Sequence, residues 1–469
     1  GIKNGYYPTM IMEGNDPVFG YVNLKGGPNP ERDDGIQGPL DDGGAGKYFD
    51  SHAMAQRAKV TKDGSRVYTE YLIKASNWDQ MGMARDDAGR FHHVSLYNRD
   101  GASMSYIYDR YAELYEEGKG WGSGTGYSGY DGSWSDEWNN NAITLENMNY
   151  GNGLLLGRYQ YPKIIAKGNS VTDQAVIYMM YYDAGTTNKE LILRNFKVGT
   201  PPSDTTGWNP LFETGKVLGT ENCVGSDGKG FNQYTNTNDN RRYESEISSN
   251  LDERKIVATG ASNSFAFGVT SDNHVVFVYY DDFSGKLVLK YSAEVIDGSN
   301  PKNDNIFVNQ KINFPDYVGT YVSMAIDEKD GIHISAFDSK DSNLTYINLA
   351  SYNATTYKAV TVDQASAVGN WTQIKIKNGI PYIAYYNATE TGGRDAIKLA
   401  YANTEKVSAG VDEDGYTTGA WEYMTVPAIT SPQGGKTEFQ NVCLDFDSAG
   451  LPVVGYLGSN IEFGKWLTE

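Results

Sequence analysis

The chain has 469 residues, with 40 Lys and Arg against 59 Asp and Glu for a formal charge of −19, and it is rich in Tyr (36) and Gly (53). It lacks the basic footprint that phosphate backbones require, so nucleic acid is not an expected partner. No apolar run approaches the roughly 18 residues of a membrane span, so no membrane insertion by this segment is expected. Cys223 and Cys443 make no disulfide framework, although a single bond between them stays open. The first residue is Gly1 rather than Met and no signal peptide is visible, which is the expectation for a processed segment of an exported protein.

In chain order, an apolar and aromatic hexamer recurs seven times: VFGYVN at Val18, HVSLYN at His93, YMMYYD at Tyr178, VFVYYD at Val276, HISAFD at His333, YIAYYN at Tyr382 and VVGYLG at Val453. Each follows another apolar run across a short Asn, Asp and Gly-rich connection such as TSDN, DEKDG or KNG, the chemistry of a hairpin turn. A third strand follows most copies (MSYIYDR, LILRNF, LVLKYS, LTYINLA, IKLAYAN, IEFGKW), with AMAQRAKV as its counterpart in the first. A more polar fourth can be read at IFVNQKIN, YKAVTVDQ and WEYMTVPA. Four antiparallel strands repeated seven times predict an all-β, seven-bladed β-propeller, in which each sheet is apolar on both faces and buries them between neighbours.

From Val18 to Val453 the step averages about 72 residues, and the shortest, His333 to Tyr382, is 49. A bare blade needs roughly 40–50. The excess falls at 24–50, 111–150 and 199–258, with a smaller insertion at 403–420. The predicted blades are 8–75, 76–155, 156–258, 259–314, 315–366, 367–430 and 431–469, in one domain, with 1–7 as a candidate closing strand.

The copies HISAFD…LTYINLA, YIAYYN…IKLAYA and VFVYYD…LVLKYS resemble those of an exported bacterial β-propeller family with HISYYD…LKYA repeats, distantly related to sialidase-like propellers. The resemblance covers most of residues 8–469. It implies the fold, and an extracellular, cell-surface or periplasmic location. Propellers of this kind serve as lectins, adhesion modules, enzyme scaffolds and partner platforms, so fold alone does not choose among them.

Sialidase chemistry would need Asp-box turns and an arginine triad. The nearest turn, TKDGSRVY at Thr61, lacks a residue between Asp63 and Gly64. His93 and His333 fall in one slot of the repeat and His274 two positions before it, so a structural role is expected for them. With His92 and His52, they form no zinc pattern. The segment 115–141 instead places Trp121, Tyr127, Tyr130, Trp134 and Trp138 in a Gly and Ser-rich loop without strand periodicity. Such rings serve either as a ligand surface or as the loop's own small core. Arg241 and Arg242 stand out in an acidic chain as anion-binding candidates, or as the partners of a neighbouring acidic loop. Asp33, Asp34, Asp41 and Asp42, and separately Asp412 and Asp414, lie among Gly residues in loops that can wrap a calcium ion or remain solvated turns.

These readings converge on a surface binding module for carbohydrate, with 24–50, 111–150 and 199–258 forming one functional surface. A propeller-type hydrolase or lyase, or a subunit docking a surface protein, remains open beside it.

Overall fold

A computed structural model describes residues 5–23, 52–60, 66–74, 78–89, 91–97, 102–109, 142–148, 159–169, 175–184, 189–198, 212–213, 216–217, 255–296, 306–365, 368–387, 396–403, 420–425, 442–457 and 461–465. Their strands form seven antiparallel sheets in chain order, six of four strands and the seventh of three, plus a two-stranded ribbon at 212–217. In each of the seven, consecutive strands are neighbours. The chain divides into two compact units, one made of 1–16, 258–295 and 304–469, the other of 17–257 and 296–303.

In the first unit, the first strands of sheets four to seven (Ala261–Val269, Val318–Ile326, Val368–Lys377 and Cys443–Phe446) are successive neighbours, and Gly5–Glu13 follows beside the last. In the second unit, Trp78–Arg85 and Tyr159–Lys167 stand in the same relation. Sheets ranked by their first strands about an axis make a β-propeller. Among the described residues no helix is long and apolar enough to cross a membrane.

The strand-two hexamers explain why the sheets stack. In Ile380–Asn387 successive side chains point to opposite faces: Ile383 and Tyr385 join a core with Leu344, Tyr346 and Val362 of sheet five, whereas Ala384 and Tyr386 join one with Val442, Leu444 and Val454 of sheet seven. Both faces are therefore core, and no sheet can bury itself alone. The Tyr385 hydroxyl donates to Asp363 Oδ2 at 2.6 Å, and Lys398 Nζ lies 3.1 Å from the same oxygen. This ties the last strand of sheet five to sheet six.

The histidines belong to the hairpin between strands one and two. In sheet five, Asp327 Oδ1 accepts from the backbone N–H groups of Lys329 and Gly331, while Asp327 Oδ2 accepts from His333 Nε2 at 3.1 Å. His333 Nδ1 accepts from the Tyr346 hydroxyl at 2.6 Å. Asp86 and His92 repeat this six-residue spacing at 3.1 Å, and Asp447 repeats the turn without a histidine. The structural role is as expected, but the register is not: the turn puts His92, not His93, in the slot of His333, because spacing from the Asp rather than hexamer likeness sets it. His93, next along the strand, is fully buried, and burial together with neighbouring His92 pushes its pKa down to about 3.

The strand order also fixes where the long connections fall within their sheets. Segment 24–51 joins strands two and three of the first sheet. By contrast, 110–141 and 199–254 join strands three and four of the second and third sheets, whose fourth strands are Ala142–Met148 and Lys255–Thr259. Relative to the first strand of its own sheet, the first connection therefore leaves by the opposite end from the other two.

Residues 8–15 lie along sheet seven: Met12 N–H donates to Asp445 Oδ2 at 2.7 Å, and Ser448 N–H to the Gly14 carbonyl at 3.0 Å. Cys443 is a free, buried thiol that donates to the Pro8 carbonyl at 3.1 Å, and burial pushes its pKa up to about 12.

Two outcomes are expected. Tyr385→Phe leaves the Asp363 carboxylate short of a donor, and should cost about 1–3 kcal/mol in urea unfolding. The depressed His93 pKa means that the unfolded chain takes up a proton below about pH 6.5 that the folded chain refuses. Stability present above that pH should fall by about 1.4 kcal/mol per pH unit toward pH 3 from this group. A His93→Leu variant should flatten the slope by that amount.

Candidate ligand-binding face

The first strand of each sheet is an edge strand, so half its backbone groups have no ladder partner. Bulges release more. In sheet five, Tyr321 and Val322 oppose a single residue between the pairs Thr320–Phe337 and Ser323–Ser335; in sheet six, Trp371 and Thr372 do the same between Asn370–Tyr386 and Gln373–Ala384. The freed groups are met by the next inner strand. Ser264 Oγ donates to the Gly319 carbonyl at 2.8 Å and accepts from Val322 N–H at 3.0 Å; Thr372 Oγ1 donates to the Tyr321 carbonyl at 2.9 Å. Gln373 accepts from Leu444 N–H, and in the other unit Gln80 accepts from Tyr161 N–H.

The first bulge position adopts a left-handed backbone, at φ +53° for Tyr321 and +52° for Trp371, and Tyr161 has φ +54° at the equivalent bulge of sheet three. Gly normally fills this position, and a bulky residue there costs about 1–3 kcal/mol. Asn273, Asp330 and Asn378 also have positive φ, but in hairpin turns where Asx residues are ordinary. Tyr317, just before the first strand of sheet five, is left-handed as well (φ +68°) and 52 % exposed.

In the first unit two of these rings meet across adjacent sheets, with Trp371 also packed against the core shared by sheets six and seven. Tyr321 lies 4.7 Å from Trp371 and 6.2 Å from Phe337 between ring centroids. Phe283, at the tip of the strand-two to strand-three turn of sheet four, is 80 % exposed. Its turn is rigid: Asp281 accepts from Phe283 N–H at 3.0 Å and from Ser284 Oγ at 2.7 Å. Lys286, at the end of that turn, reaches Asp316 beside Tyr317 at 3.1 Å. Tyr321, Phe337 and Trp371 thus form one partly buried aromatic cluster with planes tilted by 62° and 51°, while Phe283 and Tyr317 are exposed rings of the kind that can stack against flat apolar ligand surfaces.

At the opposite end, His274 Nδ1 donates to the Ser292 carbonyl at 2.7 Å, leaving Nε2 3.6 Å from Asp272 Oδ2. The Tyr352 ring stacks on His274 at 4.9 Å, and its hydroxyl pKa is raised by desolvation and then by Asp272.

The residues expected from sequence to bind ligand (Trp121, Tyr127, Tyr130, Trp134, Trp138, Arg241 and Arg242) and calcium (Asp33, Asp34, Asp41, Asp42, Asp412 and Asp414) lie outside the described residues. Among the described residues no three His, Cys, Asp or Glu side chains are grouped to hold a metal ion. The strand-two hexamers carry no mark of the rings at Tyr321 and Trp371. The signal of these rings sits in strand one, as Val-Gly-x-aromatic at VGTY (318–321) and VGNW (368–371), with YQYP at 159–162.

No family model matches the chain, and no match was found among curated proteins. Among solved structures, the Aleuria aurantia fungal lectin, described as a six-bladed β-propeller with a novel fucose recognition mode, is 8 % identical over 93 % of this chain and 100 % of that one, with a TM-score of 0.39. The intramolecular trans-sialidase of Ruminococcus gnavus, in complex with oseltamivir carboxylate, is 9 % identical over 98 % of this chain and 94 % of that one, with a TM-score of 0.39. The NanB sialidase of Streptococcus pneumoniae is 9 % identical over 98 % of this chain and 67 % of that one, with a TM-score of 0.37. At such values these likenesses carry no argument, and the assignment as a β-propeller rests on the sheets themselves.

Gly369, at φ +103°, would bring a Cβ within 2.9 Å of the Leu344 backbone, whereas Gly379, at φ +74°, has nothing within 4 Å. Gly369→Ala should therefore lower stability by about 1–3 kcal/mol, and Gly379→Ala by about 1 kcal/mol, in parallel urea titrations.

Proposed function

We propose that this chain is a carbohydrate-binding β-propeller module of an exported protein, with seven blades in one ring, working at the cell surface, in the periplasm or outside the cell. The observation that carries the reading is the left-handed backbone at Tyr317, Tyr321 and Trp371. Backbone strain is retained where surrounding structure enforces it for a purpose. Here it holds the half-buried Tyr321 and Trp371 rings in contact and leaves Tyr317 open to solvent, and open aromatic rings of this kind stack on the apolar faces of sugars. The aromatic loop around Trp121, Trp134 and Trp138 would add a second set of rings, with Arg241 and Arg242 as candidate polar contacts. Calcium, held by the acidic loops at Asp33–Asp42 and Asp412–Asp414, would order them.

A second reading, a hydrolase or lyase acting on a glycan, has one observation in its favour: Asp272, His274 and Tyr352 bring a carboxylate, an imidazole and a phenol together. Breakdown of a bound glycan by the native chain, lost in His274→Ala, would select it.

The test is a broad glycan array, with calcium and with chelator, on the native chain, on Tyr317→Ser and Trp371→Leu, and on a Trp121, Trp134 and Trp138 to Ala triple variant. Native binding weakened about tenfold, or ~1.4 kcal/mol, by Tyr317→Ser is the expected result. Tyr317 is exposed, so its variant should melt with the native chain. Absence of any glycan binding, or full binding by both Tyr317→Ser and Trp371→Leu, overturns the assignment to this face.

A further inference from the structure

The aromatic face carries information about which glycans fit it, and this step rests on the carbohydrate reading above. Two features matter. The first is continuity: Tyr321 of sheet five and Trp371 of sheet six are in ring contact at 4.7 Å, Phe337 adjoins Tyr321, and Tyr317 lies just before the same strand. Bulges of the same form on adjacent sheets thus bring two aromatic rings side by side, with their planes tilted by 51°. A single sugar ring covers one aromatic face, so two adjoining rings at different tilts match consecutive, mutually rotated rings of a chain.

The second feature is the border. At this end of sheets four to six the described ionisable groups are Asp281, Asp282, Asp316, Asp338 and Asp341 against Lys286 and Lys340, while Asp363 and Lys398 pair with each other. Asp281 and Asp338 already accept backbone N–H groups of their own turns, from Phe283 at 3.0 Å and from Lys340 at 2.9 Å, so their carboxylates are fixed in place. Lys286 is committed to Asp316 at 3.1 Å. The chain as a whole carries −19. A ligand bearing carboxylate, sulfate or phosphate groups would approach these rings against a negative field, with no uncommitted cluster of cations among the described residues to receive it.

We propose that the face binds a glycan chain of at least two consecutive sugar rings that carries no anionic groups, lying across sheets five and six. Stacking supplies its affinity and the acidic border supplies its selectivity, by excluding uronate, sialylated and sulfated chains.

The experiment is calorimetric titration of the native chain and of Tyr317→Ser, at low and at moderate salt, with four probes: an uncharged monosaccharide drawn from whichever glycan the array returns, the corresponding uncharged tetrasaccharide, a partly de-N-acetylated amino-sugar tetrasaccharide, and a uronate tetrasaccharide. An uncharged tetrasaccharide binding at least tenfold more tightly than the monosaccharide, with little change between salts, is the expected result. The amino-sugar chain should bind at least as well, and more tightly at low salt. The uronate chain should bind at least tenfold more weakly, and Asp282→Asn combined with Asp341→Asn should narrow that gap.

Equal binding of monosaccharide and tetrasaccharide overturns the chain-length part of the inference. Equal or tighter binding of the uronate chain overturns the charge part. In either case, loss of binding in Tyr317→Ser leaves the carbohydrate assignment of the face standing. Absence of binding by all four probes, with the array also blank, sinks that assignment and this inference together.

Discussion

An inner strand in a stack of small sheets has an unpaired edge, and unpaired backbone N–H and C=O groups cannot be left buried without a cost of about 1–3 kcal/mol each. Much of this molecule answers that constraint. Ser264, Thr372, Gln373, Asp445 and, in the other unit, Gln80 each reach from one inner strand to the backbone of the next. None of these residues is a core hydrophobe. Together they explain how first strands with no ladder between them are kept in a defined register against one another. The N-terminal strand obeys the same rule, since Met12 N–H has Asp445 as its acceptor. The last sheet and the first strand are thereby joined through a carboxylate rather than through a ladder.

The bulges follow from the same geometry. A strand that must both pair outward and meet its neighbour inward is eased by a two-for-one bulge, which sharpens the twist and turns one side chain aside. At Tyr321 and Trp371 the residue turned aside is an aromatic where Gly would be free of strain, and the strain is offset by ring contact with the adjacent sheet. The preceding glycines, Gly319 and Gly369, are needed for a different reason: each passes so close to the sheet before it that a Cβ would meet Tyr280 at 2.8 Å or the Leu344 backbone at 2.9 Å. Gly and aromatic at that spacing therefore form one device, in which close approach and a displaced ring depend on each other.

The buried polar groups serve order more than chemistry. Asp327 with His333, and Asp86 with His92, fasten the hairpin to the strand that follows, and the same oxygen-to-imidazole distance of 3.1 Å in both shows a repeat element rather than a site. Tyr385, Asp363 and Lys398 perform the equivalent task at the outer strand. The neutral His93 carries a cost that appears only when acid offers it a proton.

The amino-acid sequence by itself determined the all-β class, the strand-two hexamers and the apolar character of both sheet faces, because unbroken apolar runs and Asn, Asp and Gly turns are local properties written in consecutive residues. Third strands such as AMAQRAKV, and the fourth strands at YKAVTVDQ and WEYMTVPA, were legible for the same reason. Only the tertiary structure decided the register that pairs His92 rather than His93 with the slot of His333, since that depends on a side chain reaching back six residues. It also decided that the segments beginning at 24 and at 110 leave opposite ends of their sheets, which follows from where the fourth strand lies. The aromatic contacts depend on it most of all: the Val-Gly-x-aromatic stretches mark Tyr321 and Trp371 in the sequence, but that these two rings meet each other, and that Phe337 adjoins Tyr321, arises from packing between and within sheets, which neither stretch encodes alone.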